Sequence, residues 1–552
     1  MDRKIAVAKQ PAEDILLGPA GRIVNSKFHE GDMKRFRKLM ALAALLLFAV
    51  AVAAAQGPDA ESKKEPEAKP AAEPTPPPKE ENSTTDHSIR LGGELVGYQA
   101  TAGTILLKDD DGKPNASMFY IAYTRSNVKD FTQRALAFVY NGGPGSSSVW
   151  LHMGAFGPRR VYTANAAPTP PAPYRVVDNP HSLIGVTDLV FIDPVGTGFS
   201  KAVGKAKNKD FWGIDPDVKS LAQFINTYVS RNSRWNSPKF LIGESYGTFR
   251  SAALVNYLQS HSSMDFNGVV MISTVLDLGT LSFNPGDDLS YVLYLPSYAA
   301  TAYYHKMLKD PPSDLNAFLT EARRFAATSY ADALMKGSAL TSAEKGDVAA
   351  QVAHFTGLSQ DYVEKADLRV NLAQFMAELQ RSRGLITGRL DARFSGPSID
   401  PLAEYGQYDP QENAIGSAFT AAFNDYVREE LRFGKDETYE ILSEKAEPAW
   451  DWKHGDGPKF GFPGSPNVEN DLTEALISNA HLQIQVENGL YDLATPFFAT
   501  EYTMSHLRLP PKVQEHIHLE YYDAGHMMYL LDDALAKLQG NVASFLQANS
   551  TH

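Results

Sequence analysis

From about residue 88 onward, short apolar runs alternate with longer amphipathic stretches, and this alternation restricts the chain to an α/β fold. Runs at residues 135–140, 188–192, 239–242, 268–273, 482–486 and 518–522 have strand length. Several are apolar on both faces, as buried parallel strands are. Between the second and third runs, residues 217–231 place Val218, Leu221, Phe224, Ile225, Tyr228 and Val229 at helical spacing. Asp215 and Asp217 stand near its start as cap candidates, which completes a strand, helix, strand unit. The alternation stops between residues 284 and 466, where the sequence is mostly helical in pattern, Ala-rich and charged, as at 315–334, 372–379 and 418–431. An insertion of that size between two strands of one sheet is expected to cap the strand ends.

Composition narrows the chemistry. The chain has 552 residues and no cysteine, which excludes disulfides, thiolate catalysis and cysteine-held zinc. With 52 Lys+Arg against 65 Asp+Glu the formal charge is −13, against the basic face that nucleic acid requires. Residues 33–55 begin Met-Lys-Arg-Phe-Arg-Lys, continue apolar and end in Ala53, Ala54 and Ala55. This is the pattern of a secretory signal peptide, cleaved near Gln56 and too short for a comfortable membrane span. Residues 1–32 are then expected to be a mis-called N-terminal extension, with Met33 the true start. Residues 56–87, rich in Ala, Pro, Glu and Lys, read as a disordered linker. The expected location is exported, periplasmic or extracellular, with no stable membrane insertion after cleavage.

One constellation carries chemistry. Gly243-Glu244-Ser245-Tyr246-Gly247 follows the run 239–242 and precedes a helical stretch at 248–259, the context of a nucleophile elbow. Small flanking residues let the serine adopt a strained turn with its hydroxyl exposed. Such a glycine-serine pattern arises by chance about 0.2 times in a chain this long, so its place between strand and helix is what gives it weight. A serine hydroxyl needs a base, and the base needs an orienting carboxylate. Asp492 and His526 follow in the order acid then histidine, each just past a strand run, where open α/β sheets place ligands. An oxyanion hole is expected from the Tyr246 amide and from Gly143 in the loop Asn141-Gly142-Gly143-Pro144-Gly145.

These residues, with Ser146-Ser147-Ser148, Gly157-Pro158, Asn179-Pro180-His181-Ser182, Asp193-Pro194-Val195-Gly196-Thr197-Gly198-Phe199-Ser200 and Ala524-Gly525-His526, resemble the serine carboxypeptidases. The resemblance implies an α/β-hydrolase fold, a mostly parallel central sheet flanked by helices with a large helical cap insertion. The catalytic core would occupy 88–283 and 467–552, and the cap 284–466. It also implies removal of C-terminal residues from peptides through an acyl-enzyme, with Asn141 and Glu244 binding the substrate carboxylate. Two carboxyl groups share a hydrogen bond only if one is protonated, so Glu244 would have to be neutral. The sequence departs from the family at Ser146, where cysteine is usual, at Ala155, where a second carboxylate-binding glutamate is usual, and at Gly247, where alanine is usual.

The expected partners are peptides with a free C-terminus, and the chemistry requires neither metal nor organic cofactor. Gly196-Thr197-Gly198 is too short for a dinucleotide fingerprint, and His516 and His518 lack a third ligand. The Ala155 departure keeps open an esterase or acyltransferase using the same triad. A non-catalytic envelope binding protein that retains the fold is the remaining alternative.

Overall fold

The computed structural model describes residues 78–455 and 464–550. The expected extension, the signal peptide and the linker up to residue 77 lie outside these residues. The apolar runs assemble into one sheet of β1 (Asn82–Leu91), β2 (Glu94–Lys108), β3 (Pro114–Arg125), β4 (Ala135–Tyr140), β5 (Thr187–Ile192), β6 (Lys239–Glu244), β7 (Gly268–Ile272), β8 (Gln483–Gly489) and β9 (Ile517–Tyr522). Their spatial order is β1-β2-β3-β5-β4-β6-β7-β8-β9, and a two-residue strand, Lys201–Ala202, also pairs with β3. The first three strands form an antiparallel meander that joins β5 antiparallel, while β5 through β9 are parallel neighbours. β1 begins at Asn82, so the folded part reaches back into the stretch 56–87 that reads as linker.

Strands β4 to β7 are buried on both faces, as their unbroken apolar sequences require. The longer helices are α1 (Ile214–Arg231), α2 (Tyr246–Ser262), α3 (Leu289–Tyr304), α4 (Leu315–Phe325), α5 (Ser342–Thr356), α6 (Pro410–Asp425), α7 (Glu469–Ser478) and α8 (Asp532–Ala548). On one sheet face Leu136, Phe138 and Leu241 pack with Leu221 and Phe224 of α1, Phe249 of α2 and Leu472 of α7. On the other, Ala137, Val139 and Ile242 pack with Leu535 and Leu538 of α8. This two-faced parallel sheet is the α/β-hydrolase arrangement.

The insertion does not pack as one cap. Tyr294, Tyr298, Phe318, Phe325 and Phe355 of α3, α4 and α5 form a core of their own that continues onto Leu490, Tyr491 and Leu493 past β8. Phe419 and Phe423 of α6 instead join the cluster that covers β4 and β5. Helix α6 therefore belongs to the wall of the sheet, a division that helical periodicity does not encode.

Topology locates the crevice. β4 is flanked by β5 and β6, both later in the chain, so successive connections run to opposite sides of β4, the reversal of strand order at which open α/β sheets place a crevice beyond the strands' carboxyl ends. Register sets what faces that gap: Tyr140 pairs with Gly243, so Asn141 and Glu244 leave the sheet side by side. Glu244 pairs with Ile272, and Gly489 with Tyr522.

Beneath the crevice lies a buried ion pair. Asp217 does not cap α1, whose N-cap is Gly213; it sits in the first turn. Its Oδ2 accepts from Arg250 Nε at 2.6 Å, and Arg250 Nη1 donates to the Asn141 carbonyl at 2.6 Å. Both side chains are buried. Removing one partner strands a charge in a medium that solvates it poorly. Arg250→Met is expected to lower stability by about 3–5 kcal/mol in urea unfolding, and adding Asp217→Leu to recover most of the loss. Full destabilisation in the double variant would show that the charges are not what the pair contributes.

Candidate active site

Ser245 lies between β6 and α2 with φ 60° and ψ −130°, a conformation that L-residues adopt only under constraint. Its N–H donates to Ile272 O at 2.9 Å, and its carbonyl accepts from the Thr248 amide and hydroxyl, each at 2.8 Å. A Cβ at Gly243 would lie 2.3 Å from Gly247 O, so the reversal from strand to helix requires a bare glycine there. At Gly247 the nearest atom would be 3.0 Å away, a tight but smaller demand. Tyr246 opens α2, so its amide is one of the first-turn N–H groups without an intrahelical acceptor.

Asp492 and His526 come from the loops after β8 and β9. His526 Nδ1 and Asp492 Oδ2 are 2.8 Å apart, and both side chains are buried. Asp492 Oδ1 accepts from the amides of Ala494 at 2.8 Å and Thr495 at 2.9 Å, while the Thr495 hydroxyl donates to Oδ2 at 2.7 Å. The histidine backbone is held on both sides, its N–H by Leu390 O at 2.6 Å and its carbonyl by the Ser273 hydroxyl at 2.7 Å. Residues 272 and 273, at the end of β7, thus anchor both Ser245 and His526. Burial works against the imidazolium, but the Asp492 charge, their hydrogen bond and the Glu244 charge outweigh it and raise the His526 pKa. That suits the role expected of His526, to accept a proton and then carry positive charge.

Asn141 Nδ2 donates to Glu244 Oε1 at 2.9 Å, and Asn141 Oδ1 accepts from Leu151 N at 3.0 Å, which fixes the amide orientation. Burial pushes the Glu244 carboxyl up to about 7, while His526, Tyr529 and Asn141 pull the other way. The glycine loop closes over the elbow: a Cβ at Gly142 would lie 2.4 Å from Tyr246 N, and Gly143 has φ +101°. Ser146 uses its hydroxyl to accept from the Trp150 indole at 3.0 Å and to donate to Ser147 O at 2.9 Å. Asn179 donates to Ala155 O at 2.8 Å and Gly157 O at 2.9 Å, which places the buried Ala155 methyl.

All seven residues singled out from the sequence therefore gather at the carboxyl ends of β4, β6, β8 and β9. Three further participants had no clear sequence signal. Thr495 stands three residues after Asp492, a spacing at which a hydroxyl can return to a carboxylate, whereas Ser273 and the Leu390 carbonyl act only through tertiary placement.

The serine carboxypeptidase family profile matches residues 99–527. The chain belongs to the serine carboxypeptidase family. It is 30% identical over 175 residues to the pheromone-processing carboxypeptidase KEX1 of Saccharomyces cerevisiae, a stretch that covers 30% of this chain and 23% of that relative. The crystal structure of KEX1(delta)p, a prohormone-processing carboxypeptidase from the same yeast, superposes with a TM-score of 0.52 at 18% identity. That match covers 81% of this chain and 91% of the other and shows a shared fold.

For a member of this family with this geometry, a fluorophosphonate probe is expected to label Ser245 and to lose the label in Ser245→Ala. Asp492→Asn should slow labelling by about 10⁴-fold. Intact labelling of Ser245→Ala, located by peptide mass spectrometry, would assign the nucleophile elsewhere.

Proposed function

We propose that the protein is an exported serine-type carboxypeptidase that removes C-terminal residues from peptides. The observation that carries the reading is Glu244, a buried carboxyl adjacent in sequence to Ser245, bonded to Asn141 at one oxygen and without a hydrogen-bond partner at the other. A neutral carboxyl and an amide side by side can bind a carboxylate, and their position fixes where the chain end of a peptide lies relative to the serine hydroxyl.

The steps then follow. Ser245 Oγ attacks the last peptide carbonyl while His526 takes its proton, and Asp492 holds the imidazole and stabilises its charged form. The amides of Gly143 and Tyr246 receive the oxyanion. His526 returns the proton to the departing amino group, the C-terminal residue leaves, and the acyl group remains on Ser245. Water, deprotonated by His526, attacks the ester and releases the shortened peptide. Protein groups and water serve each step, and the formal charge of −13 argues against a nucleic-acid partner. Export is supported by the leader pattern at residues 33–55, and none of the described helices is long and apolar enough to cross a membrane.

The test compares an N-blocked dipeptide acid with its amide from acid to neutral pH. Glu244 is raised to about 7, so its neutral form persists up to that pH and is lost above it. The kcat/KM for the acid should fall as pH rises through that range, and the amide should lack this limb. Because the Glu244 charge also raises His526, Glu244→Gln should abolish the falling limb and move the rising limb to lower pH. The absence of a polar side chain at Ala155 favours the second reading, an esterase or acyltransferase. Cleavage of a simple ester with neither dipeptide touched would establish that reading and end the peptidase assignment.

A further inference from the structure

Unpartnered polar atoms are rare inside proteins, and each calls for an explanation. Two of them occur together beside the nucleophile. Tyr529 is fully buried, and its hydroxyl has no partner of hydrogen-bond geometry, nor has Glu244 Oε2. The hydroxyl nevertheless stands close enough to Glu244 and Asn141 to act on both. Its ring is held in place by the turn that carries Ala155: a Cβ at Gly154 would lie 2.7 Å from Tyr529 Cε2 and 2.8 Å from Cδ2, so only glycine admits the ring. Ala155 itself contributes a methyl and no hydrogen-bonding side chain. The phenol is thus the polar group that this turn brings to the Asn141–Glu244 pair.

We propose that the Tyr529 hydroxyl is a third ligand for the terminal carboxylate of the substrate, donating a hydrogen bond beside those of Asn141 and protonated Glu244. The assignment rests on the carboxypeptidase reading and completes it. Three donors converge on a carboxylate that has two oxygens and about four acceptor positions. A phenol donates without a titration near neutrality, so the site binds a carboxylate with a single ionisable acid.

Tyr529→Phe keeps the ring against Gly154 and removes only the donor. For the N-blocked dipeptide acid, KM is expected to rise about 10- to 100-fold, the size of a lost hydrogen bond to a charged group, with kcat changed less than about twofold. Hydrolysis of the matching amide or of a simple ester, neither of which presents a terminal carboxylate, should lose far less than hydrolysis of the acid. Calorimetric binding of an N-blocked dipeptide acid to Ser245→Ala should weaken by the same factor when Tyr529→Phe is added. Gly154→Ala, which displaces the ring, should reproduce the KM effect. A wild type that prefers the acid over the amide, with KM and binding unchanged in Tyr529→Phe, would overturn this assignment and leave the carboxypeptidase reading intact. A wild type with no preference for the acid would remove both.

Discussion

The backbone of Ser245, at φ 60° and ψ −130°, is the constraint on which the site depends. It costs on the order of 1–3 kcal/mol and persists because its surroundings allow no other path. The Ile272 carbonyl fixes its N–H, Thr248 fixes its carbonyl, and Gly243 and Gly247 make room for the reversal. The conformation has two consequences. It keeps the Ser245 side chain from capping the helix whose first residue is Tyr246, and it leaves Glu244 as the last residue of a fully buried strand. Glu244, with its raised pKa, the proposed nucleophile Ser245 and the proposed oxyanion donor Tyr246 are therefore three consecutive residues whose positions are set by one turn.

The electrostatics follow from burial rather than from net charge. Glu244 and His526 act on each other, since the negative charge of one favours the protonated form of the other. Their titrations belong to the pair. Beneath them Arg250 lies about equally far from the Tyr140 and Tyr246 rings, 5.3 and 5.2 Å from their centroids, and bonds the Asn141 carbonyl. A single guanidinium thus touches the strand end that carries Asn141 and the helix start that supplies the Tyr246 amide, while Asp217 balances its charge. The two halves of the crevice are held to one cation.

Much of this was legible in the sequence because it is local. Buried parallel strands are unbroken apolar runs, and residues 135–140 coincide with β4. The elbow announces itself through glycines at fixed spacing, and Asp492 and His526 through their position after strand runs. What stayed hidden is long-range or sequence-neutral. The meander of β1, β2 and β3 mixes polar and apolar residues, and Asn82–His87 resembles the linker before it because an edge strand has little apolar surface to bury. The insertion reads as one helical body, and only tertiary packing shows Phe419 and Phe423 on the sheet wall. Tyr529 sits three residues after His526, where an aromatic residue reads as core; the role proposed for it depends on a phenol direction that spacing does not encode.

The most direct test of the account is a crystal structure of Ser245→Ala with an N-blocked dipeptide bound. The account predicts the terminal carboxylate on Asn141 and Glu244, and the scissile carbonyl oxygen between the amides of Gly143 and Tyr246. A carboxylate in solvent, or a carbonyl oxygen turned away from those amides, would contradict it.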